Sequence, residues 1–280
     1  MIKKILVALD PDSDTPVATR YATDIAQRHG AEVVGLAVVD MGSIEASSRG
    51  GGIGSMYLME KVQANLTAEA RAVARQLIEA FREAMEASGV AYEAQVEEGV
   101  PYERIVEDMK YCDLLVLGKE PHFFYSHPEQ KTRTLVGIVK NTIGPTLVVP
   151  ETYQSVSRVL VAYDASNASA RALRRFVLLQ PFGTALSVEI VNIHGKGEHD
   201  GSQLALRMAK SYMDTHGYNA TISSIQGTNP AHEIVEYARQ FEADVVVAGA
   251  HSVSQLTKLA FGSTTASLLK NTPVPLFLDN

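Results

Sequence analysis

The sequence has little cysteine, no long apolar run and little basic charge. These features argue against a disulfide-bonded, a membrane-spanning and a nucleic-acid-binding protein. Its 280 residues include one cysteine, Cys112, so an internal disulfide is impossible and the cytoplasm is the expected location. No run approaches the roughly 18 to 20 uncharged apolar residues of a membrane span. The N-terminal MIKKILVALD has only a short apolar run before Asp10, which predicts a first strand rather than a signal peptide.

Basic charge is scarce and unevenly spread. The net charge is −7, and residues 1–152 hold 15 Lys and Arg against 22 Asp and Glu, while residues 153–280 hold 10 of each. Neither half offers the basic surface that nucleic-acid binding needs, so no nucleic-acid partner is expected. The neutral second half tolerates a polyanionic ligand better than the acidic first half.

Dedicated catalytic and metal motifs are also missing. The sequence has no nucleophile elbow, no HExxH, and no SGGxDS-type loop after its first strands. Two histidine pairs, His122 with His127 and His194 with His199, lack cysteine or carboxylate partners at metal-ligand spacing and are interpreted as solvated loop residues. Cys112 is predicted to be a half-buried packing residue. These observations indicate neither a catalytic constellation nor a metal site.

The sequence does contain an internal repeat. Each copy opens with a buried strand, an aspartate and a polar turn into a helix, and closes with a KNT-containing helix end and an apolar strand. The matching segments are IKKILVALDPDSDTPVATRYA (2–22) with VSRVLVAYDASNASARALRRF (156–176), 98–119 with 226–250, and VKNTIGPTLVVP (139–150) with LKNTPVPLFLDN (269–280). The chain is therefore predicted to be a tandem duplication with domains at 1–151 and 156–280, joined near the polar ETYQSVS.

Within each copy, strands and helices alternate. The strands are mostly continuous Val, Ile and Leu runs, which predict a five-stranded parallel sheet covered by helices on both faces, a doubly wound α/β domain. A helix is predicted over 65–87 from its apolar stripe. Ligands of such folds bind at the carboxyl ends of the strands where the strand order reverses. The positions to examine are Asp10 and Gly118 in the first copy, and Asp164 and Gly249 in the second.

The segment after strand 4 of the second copy is a candidate phosphate site. DVVVAG ends at Gly249, and LAFGSTTASLLKN predicts a helix that begins at Gly262-Ser263. A helix N-terminus presents free N–H groups and a positive dipole end, which suit a phosphate. His251 and Lys258 in the loop could add positive charge. An ordinary helix cap explains Gly262-Ser263 equally well on spacing alone.

The same segment resembles a known family. The nucleotide-binding members of the universal stress protein family carry Gly, two residues, Gly, nine residues, then Gly-Ser or Gly-Thr. This chain has Gly249, two residues, Ser252, nine residues, then Gly262-Ser263, so Ser252 in place of the second glycine is the one departure. The resemblance covers nearly the whole chain as two family domains. It implies an adenine-nucleotide alpha-hydrolase-like (Rossmann-like) fold in which PTLVVP and VPLFLD pair, forming an intramolecular pseudo-dimer.

The resemblance also implies a ligand and its contacts. The ligand would be ATP, or ADP or AMP, with or without Mg²⁺, bound by a stress-responsive regulator that hydrolyses ATP slowly at most and forms homodimers. Asp164 and Ile193 would line the adenine side, and Gly249 would meet the ribose and phosphates. The phosphate contacts would be Gly262, Ser263 and Thr264. If the position of Ser252 requires a positive φ, a serine there is strained, and the affinity falls or the ligand differs.

The first copy departs further from the family pattern. Thr132-Arg133 stands where the second copy has Gly262-Ser263, and no second glycine follows Gly118. This copy is predicted to keep the fold without the phosphate loop. The glycine-rich SSRGGGIGS (47–55) lacks a Gly-Lys-Ser/Thr ending and is interpreted as a flexible insertion.

Two other functions are compatible with the sequence. A non-nucleotide module, binding a partner or an apolar ligand, would use the insertions at 41–64 and 119–131 and the Phe123–Tyr125 cluster. A phosphohydrolase that positions water with His251 or Asp164 is the weaker alternative, because no paired carboxylates support it.

Overall fold

The structure is a computed structural model that describes residues 1–47, 56–119, 133–250 and 263–280. In each copy every strand except the last is followed by one or two helices, and a short 3-10 helix lies at Met109–Tyr111. The strands are β1 Lys4–Leu9, β2 Glu32–Asp40, β3 Tyr92–Gly99, β4 Leu114–Gly118, β5 Thr146–Val149, β6 Arg158–Ala162, β7 Ser187–His194, β8 Asn219–Gln226, β9 Val245–Gly249 and β10 Leu276–Asp279. The helices are α1 Thr15–His29, α2 Met41–Ser47, α3 Met56–Ser88, α4 Pro101–Asp108, α5 Arg133–Asn141, α6 Asn167–Leu179, α7 His199–Thr215, α8 Pro230–Gln240 and α9 Ser263–Asn271.

The described strands form one sheet of two related halves. The order is β3-β2-β1-β4-β5-β10-β9-β6-β7-β8, and the pairs within each half are parallel. The halves meet where β5 and β10 run antiparallel, with Leu147 opposite Phe277. This confirms the predicted duplication of a doubly wound five-stranded domain and the predicted pairing of the two final strands. The domain boundaries at 1–151 and 156–280 stay a prediction.

The core lies in two apolar layers, one on each face of the sheet. Helices α1, α3, α6 and α7 cover one face and α4, α5, α8 and α9 cover the other. Continuous apolar strands such as LLVLG in β4 are buried throughout, as expected for a sheet covered on both faces. Helix α3 begins at Met56, nine residues before the predicted start at 65, and its predicted apolar stripe contacts the core. The buried members of that stripe are Ala70, Ala74, Ile78, Phe81 and Met85.

The segment that joins the two copies packs firmly against α1. The Tyr21 hydroxyl donates to the Gln154 carbonyl over 2.8 Å. The rings of Tyr21 and Tyr153 lie 4.8 Å apart between centroids, and the Arg20 guanidinium carbon lies 3.7 Å from the centre of the Tyr153 ring. A cation over an aromatic ring contributes about 0.5–1 kcal/mol when partly exposed. These contacts hold the joining segment against the first copy.

A lysine from the first copy caps a helix of the second. Lys119 Nζ donates to the Thr272 carbonyl over 2.9 Å, just beyond the C-terminal end of α9. We expect Lys119→Met to lower the free energy of unfolding by about 1 kcal/mol, because it removes a charge-assisted hydrogen bond at the negative end of the helix dipole. Urea unfolding measures the loss. Lys110→Met, which removes only an exposed pair with Glu107, is the control; an equal loss in both variants would contradict the cap.

Within the described part of the chain, no helix has both the length and the apolar character that crossing a membrane requires.

Candidate functional site

A pocket opens at the carboxyl edge of the second half of the sheet. It lies beyond the ends of β6, β7 and β9, where the strand order reverses, and has a volume of about 270 Å³. This is the position that doubly wound folds use for ligands. The pocket is lined by Ala162, Tyr163, Asp164, Ser166, Ser169, Val191, Ile193, Pro230, Ile234, Ala248, Gly249, Thr264, Thr265 and Leu268.

The pocket brings together residues that the sequence singles out from four separate segments. Asp164, Ile193, Gly249 and Thr264 all line it. Ser263 is the first residue of α9, the helix that carries Thr264. Two further predicted contacts, Ser252 and Gly262, lie outside the described residues. The ligand roles of all seven residues stay predictions.

Asp164 is held as an ion by the turn that opens α6. Its Oδ1 accepts the Ser166 N–H over 3.0 Å, and Ser166 Oγ in turn accepts the Ser169 N–H over 3.2 Å as the N-cap of the helix. Partial burial acts to raise the pKa of Asp164, but hydrogen bonds from Ser166 and Ser169 outweigh it and leave the pKa below its usual value. Asp164 therefore presents a hydrogen-bond acceptor to the pocket at neutral pH, suited to an amino or hydroxyl donor.

Gly249 allows β9 and the start of α6 to approach closely. A Cβ at this position would lie 2.5 Å from the Ser169 backbone nitrogen and 2.6 Å from the Ala168 carbonyl carbon. Both are main-chain atoms that cannot turn aside as a side chain can. The Gly249 carbonyl also accepts the Thr265 hydroxyl over 3.1 Å, which ties α9 to the strand. A side chain at this position would therefore displace the pocket wall.

The N-terminal turn of α9 faces the same pocket. Thr264 and Thr265 line it, and the first N–H groups of an α-helix have no partner within the helix. Together with the positive end of the helix dipole, they favour an anion at this end of the pocket.

One part of the pocket lining is an apolar wall. Val191 and Ile193 project from β7, and Ile234 of α8 and Leu268 of α9 complete the wall. Aliphatic side chains of this kind pack against the flat face of an aromatic ring. The pocket thus combines an apolar wall, a carboxylate and a helix N-terminus within one small volume.

The first copy fills the corresponding place with its own acids. Asp14 takes the position of Ala168 and is 2% exposed, and its Oδ1 would lie 2.0 Å from a Cβ added to Gly118, the counterpart of Gly249. Asp10, the counterpart of Asp164, is also 2% exposed, and burial above all raises its pKa to about 7. Carboxylates beside the start of α1 oppose a phosphate there. The signal is present in the sequence, because the third and fifth residues of DPDSD are aspartates, whereas those of DASNA are serine and alanine.

The remaining candidate residues have varied outcomes. The interpretation of His194 as a solvated loop residue is wrong: it ends β7, is buried, and its Nδ1 lies 2.8 Å from the Gly195 carbonyl oxygen. Its ring lies 5.4 Å from that of His199, and no metal-binding cluster of three or more His, Cys, Asp or Glu occurs among the described residues. Cys112 is half-buried as predicted, and burial raises the pKa of its thiol to about 11.

Several further candidates fall outside the described residues. They are His122, His127, Phe123–Tyr125, Thr132, His251, Lys258 and residues 48–55 of the glycine-rich segment.

A family model and two curated proteins are similar to this chain in sequence. The chain matches the Universal stress protein family over residues 1–150 and 184–278. The Synechocystis sp. Universal stress protein Slr1230 is 29% identical over 173 residues, 61% of this chain and 59% of that protein. The Bacillus subtilis Stress response protein NhaX is 27% identical over 79 residues, 28% of this chain and 47% of that protein. The chain thus spans less than two thirds of either curated relative.

A solved structure extends the likeness to the whole fold. The crystal structure of a universal stress protein from Archaeoglobus fulgidus DSM 4304 matches with a TM-score of 0.70 at 17% identity, covering 99% of this chain and 98% of that one. At this identity the likeness establishes the fold alone. The two matched segments together cover well over half of the sequence, and the chain therefore belongs to the universal stress protein family, with two domains of that family in tandem.

Proposed function

We propose that this protein binds an adenine nucleotide in the pocket of its second domain and acts as a stress-responsive regulator. One observation carries the proposal: an ionised carboxylate, an apolar wall and a helix N-terminus converge on a single pocket at the strand edge. Each of these features complements one part of a nucleotide. The carboxylate accepts from hydrogen-bond donors, the apolar wall packs against the aromatic base, and the helix N-terminus binds phosphates.

The fit assigns one role to each wall. The base packs against Ile193 and its apolar neighbours, and Asp164 accepts a hydrogen bond from an amino or ribose hydroxyl group. The phosphates point to Gly249 and the first turn of α9, where a glycine leaves the backbone open to approach. ATP, ADP and AMP share the base and ribose, and Mg²⁺ would be held mainly by phosphate oxygens and water.

The proposed role is binding rather than turnover. Among the described lining residues, Asp164 is the one carboxylate and there is no histidine, lysine or cysteine. A hydrolase needs a second group to activate water or to protonate the leaving group. Slow ATP hydrolysis at most is expected. The first domain, with Asp10 and Asp14 at the matching place, would serve as a structural partner.

Two measurements on the purified protein test this proposal. Mass spectrometry of the supernatant after denaturation should detect a released adenine nucleotide, and calorimetric titration of the stripped protein should give binding heat with ATP, ADP or AMP. No released nucleotide and no heat at millimolar ligand would refute it. Binding of an apolar fluorescent probe that nucleotide does not displace would instead favour an apolar-ligand module, which the aliphatic wall also suits.

A single substitution tests whether the ligand binds in this pocket. We expect Asp164→Ala to weaken nucleotide binding about tenfold, since it removes one charged hydrogen-bond acceptor. Asp200→Ala, at an exposed position on α7, is the control and should leave the affinity unchanged. Equal nucleotide affinities in the two variants would show that the binding site lies elsewhere.

A further inference from the structure

A small pocket lies where the two copies and the segment that joins them meet, and it shares no residue with the pocket of the second domain. Its volume is about 100 Å³. Helix α1 of the first copy forms one wall, and the joining segment forms another with Tyr153 and Ser155. The loop between α6 and β7 of the second copy completes the lining with Pro181 and Phe182. A ligand in this pocket therefore contacts both copies at once.

Part of this lining is apolar. Tyr21 and Ile25 contribute to it from α1, Val156 from the joining segment and Phe182 from the loop of the second copy. The Tyr21 hydroxyl already donates to the Gln154 carbonyl, so what Tyr21 offers to a ligand is its aromatic ring. Burying a short hydrocarbon group, such as a methyl group, against these side chains is favourable.

Two opposite charges line the same pocket without pairing with each other. Asp24 and Arg28 stand one turn apart on α1, a spacing at which such side chains commonly form an ion pair. Within the part of the chain that the structure describes, neither of them forms an ion pair. Both residues are exposed. The pocket therefore offers a carboxylate and a guanidinium to a ligand at the same time.

Each of these charges lies against a different wall. The Asp24 carboxylate accepts a hydrogen bond from the Tyr153 hydroxyl through Oδ2. Burial above all raises the pKa of Tyr153 to about 12, so this hydroxyl stays a donor. Arg28 Nη1 lies 3.1 Å from the place that a Cβ on Gly183 would occupy, beside the loop of the second copy. The negative group is thus held at the joining segment and the positive group at the second copy.

We propose that this pocket binds a small free amino acid, of the size of glycine or alanine. The carboxylate of the ligand pairs with the Arg28 guanidinium, whose planar fork suits a carboxylate. The ammonium group of the ligand donates to Oδ1 of Asp24, the oxygen that Tyr153 does not use. The methyl group of alanine packs against the apolar part of the lining. An amino acid carries both charges on groups attached to one carbon, so one molecule bridges two side chains that stand one helical turn apart.

Charge and size limit the ligand to this class. Arg28 attracts a simple anion but Asp24 repels it, and a simple cation meets the reverse, whereas a zwitterion satisfies both groups. Liquid water takes roughly 30 Å³ per molecule, so the pocket has room for about three waters or for one compact molecule of about five or six non-hydrogen atoms. A nucleotide is far larger, so the two pockets take different ligands.

Saturation-transfer NMR on the full chain tests the site with three probes that each carry one methyl group. L-Alanine has both charges, acetate has only the negative charge and methylammonium has only the positive charge. L-Alanine should bind with a dissociation constant of about 1 mM, because so few atoms make contact, and each of the other two should bind at least about tenfold more weakly. The proposal is overturned if acetate or methylammonium binds as tightly as L-alanine, or if L-alanine does not bind at about 100 mM.

Two substitutions test whether L-alanine lies between the two charges. Arg28→Met should weaken its binding at least about tenfold. Asp24→Asn keeps an acceptor for the Tyr153 hydroxyl but removes the negative charge, so it should abolish the preference for L-alanine over acetate. Arg75→Met, at an exposed position of α3 outside the pocket, is the control and should change neither affinity. Circular dichroism checks that the variants stay folded. Equal L-alanine affinities in Arg28→Met and Arg75→Met would overturn the proposal, whether or not the protein binds a nucleotide.

Discussion

Replacing Gly249 with alanine is expected to lower the free energy of unfolding by about 1–3 kcal/mol and to weaken nucleotide binding at least about tenfold. The added Cβ would lie 2.5 Å from the Ser169 nitrogen and 2.6 Å from the Ala168 carbonyl carbon, far inside contact distance. Since these are main-chain atoms, the N-terminal turn of α6 must move outward. That movement disturbs the Ser166 turn that holds Asp164, so stability and binding fall together. Urea unfolding and calorimetric titration measure the two effects.

Substitutions at two other glycines are the controls. They separate the steric clash at Gly249 from a general effect of replacing glycine with alanine. A Cβ on Gly201 in α7 meets no atom within 4 Å, so Gly201→Ala should leave binding unchanged and stability equal or slightly higher. A Cβ on Gly118 would meet the Asp14 carboxylate at 2.0–2.4 Å, so Gly118→Ala should destabilise the first domain without weakening binding. If Gly249→Ala bound nucleotide as tightly as Gly201→Ala, the strand end would not form the pocket wall.

The sheet and its central pairing could be predicted because they depend on local patterns that occur twice. Buried runs such as ILVAL and VLVAY predict parallel strands in either copy, and the repeat identifies β5 and β10 as equivalent final strands. The start of α3 could not be predicted in the same way. Residues 56–64 directly follow the glycine-rich segment and so are interpreted as part of the insertion at 41–64, but they belong to the helix as its N-terminal extension.

The hydrogen-bond partners of the buried polar groups in the second domain could not be predicted from sequence patterns. Glu189 of β7 is 8% exposed and accepts hydrogen bonds from Thr221 and Ser223 of β8 and from Tyr237 of α8. Burying a carboxylate costs free energy unless hydrogen-bond donors such as these surround it. The donors come from two elements that lie 32 to 48 residues further along the chain, so only the register of β7 against β8 reveals them. The first domain has Val34 at the equivalent position.

The site of the first domain also depends on packing that the sequence alone does not show. The loss of the phosphate-loop pattern after Gly118 predicts a structural domain, but the position of Asp14 depends on how closely α1 approaches β4. The sequence shows the two additional aspartates of DPDSD. The structure shows that one of them, Asp14, lies against Gly118, the counterpart of Gly249.

Asp10→Asn is expected to stabilise the protein at neutral and alkaline pH and to lose that advantage in acid. The carboxyl of Asp10 is 2% exposed, and burial, together with the nearby Asp14 and Asp12 charges, raises its pKa from 3.8 to about 7. The folded protein therefore binds this proton more tightly than the unfolded chain. The contribution of Asp10 to the free energy of unfolding is greatest below about pH 4 and falls as the pH rises toward 7. Asparagine can still accept from the Thr15 hydroxyl and the Asp12 N–H, so the substitution removes the charge and keeps the acceptor.

Urea unfolding from about pH 5 to about pH 8 gives the size of the effect. The difference in unfolding free energy between Asp10→Asn and the unmodified protein should grow by up to about 1.4 kcal/mol per pH unit as far as pH 7 and then level off. Asp164→Asn is the matched control, because the folded-state pKa of Asp164 lies below 3.8 and the group stays ionised across this range. Its difference should not vary with pH. If the difference in unfolding free energy for Asp10→Asn does not change with pH, Asp10 ionises in the folded protein as readily as in water. The site would then tolerate the negative charge of Asp10 beside that of Asp14.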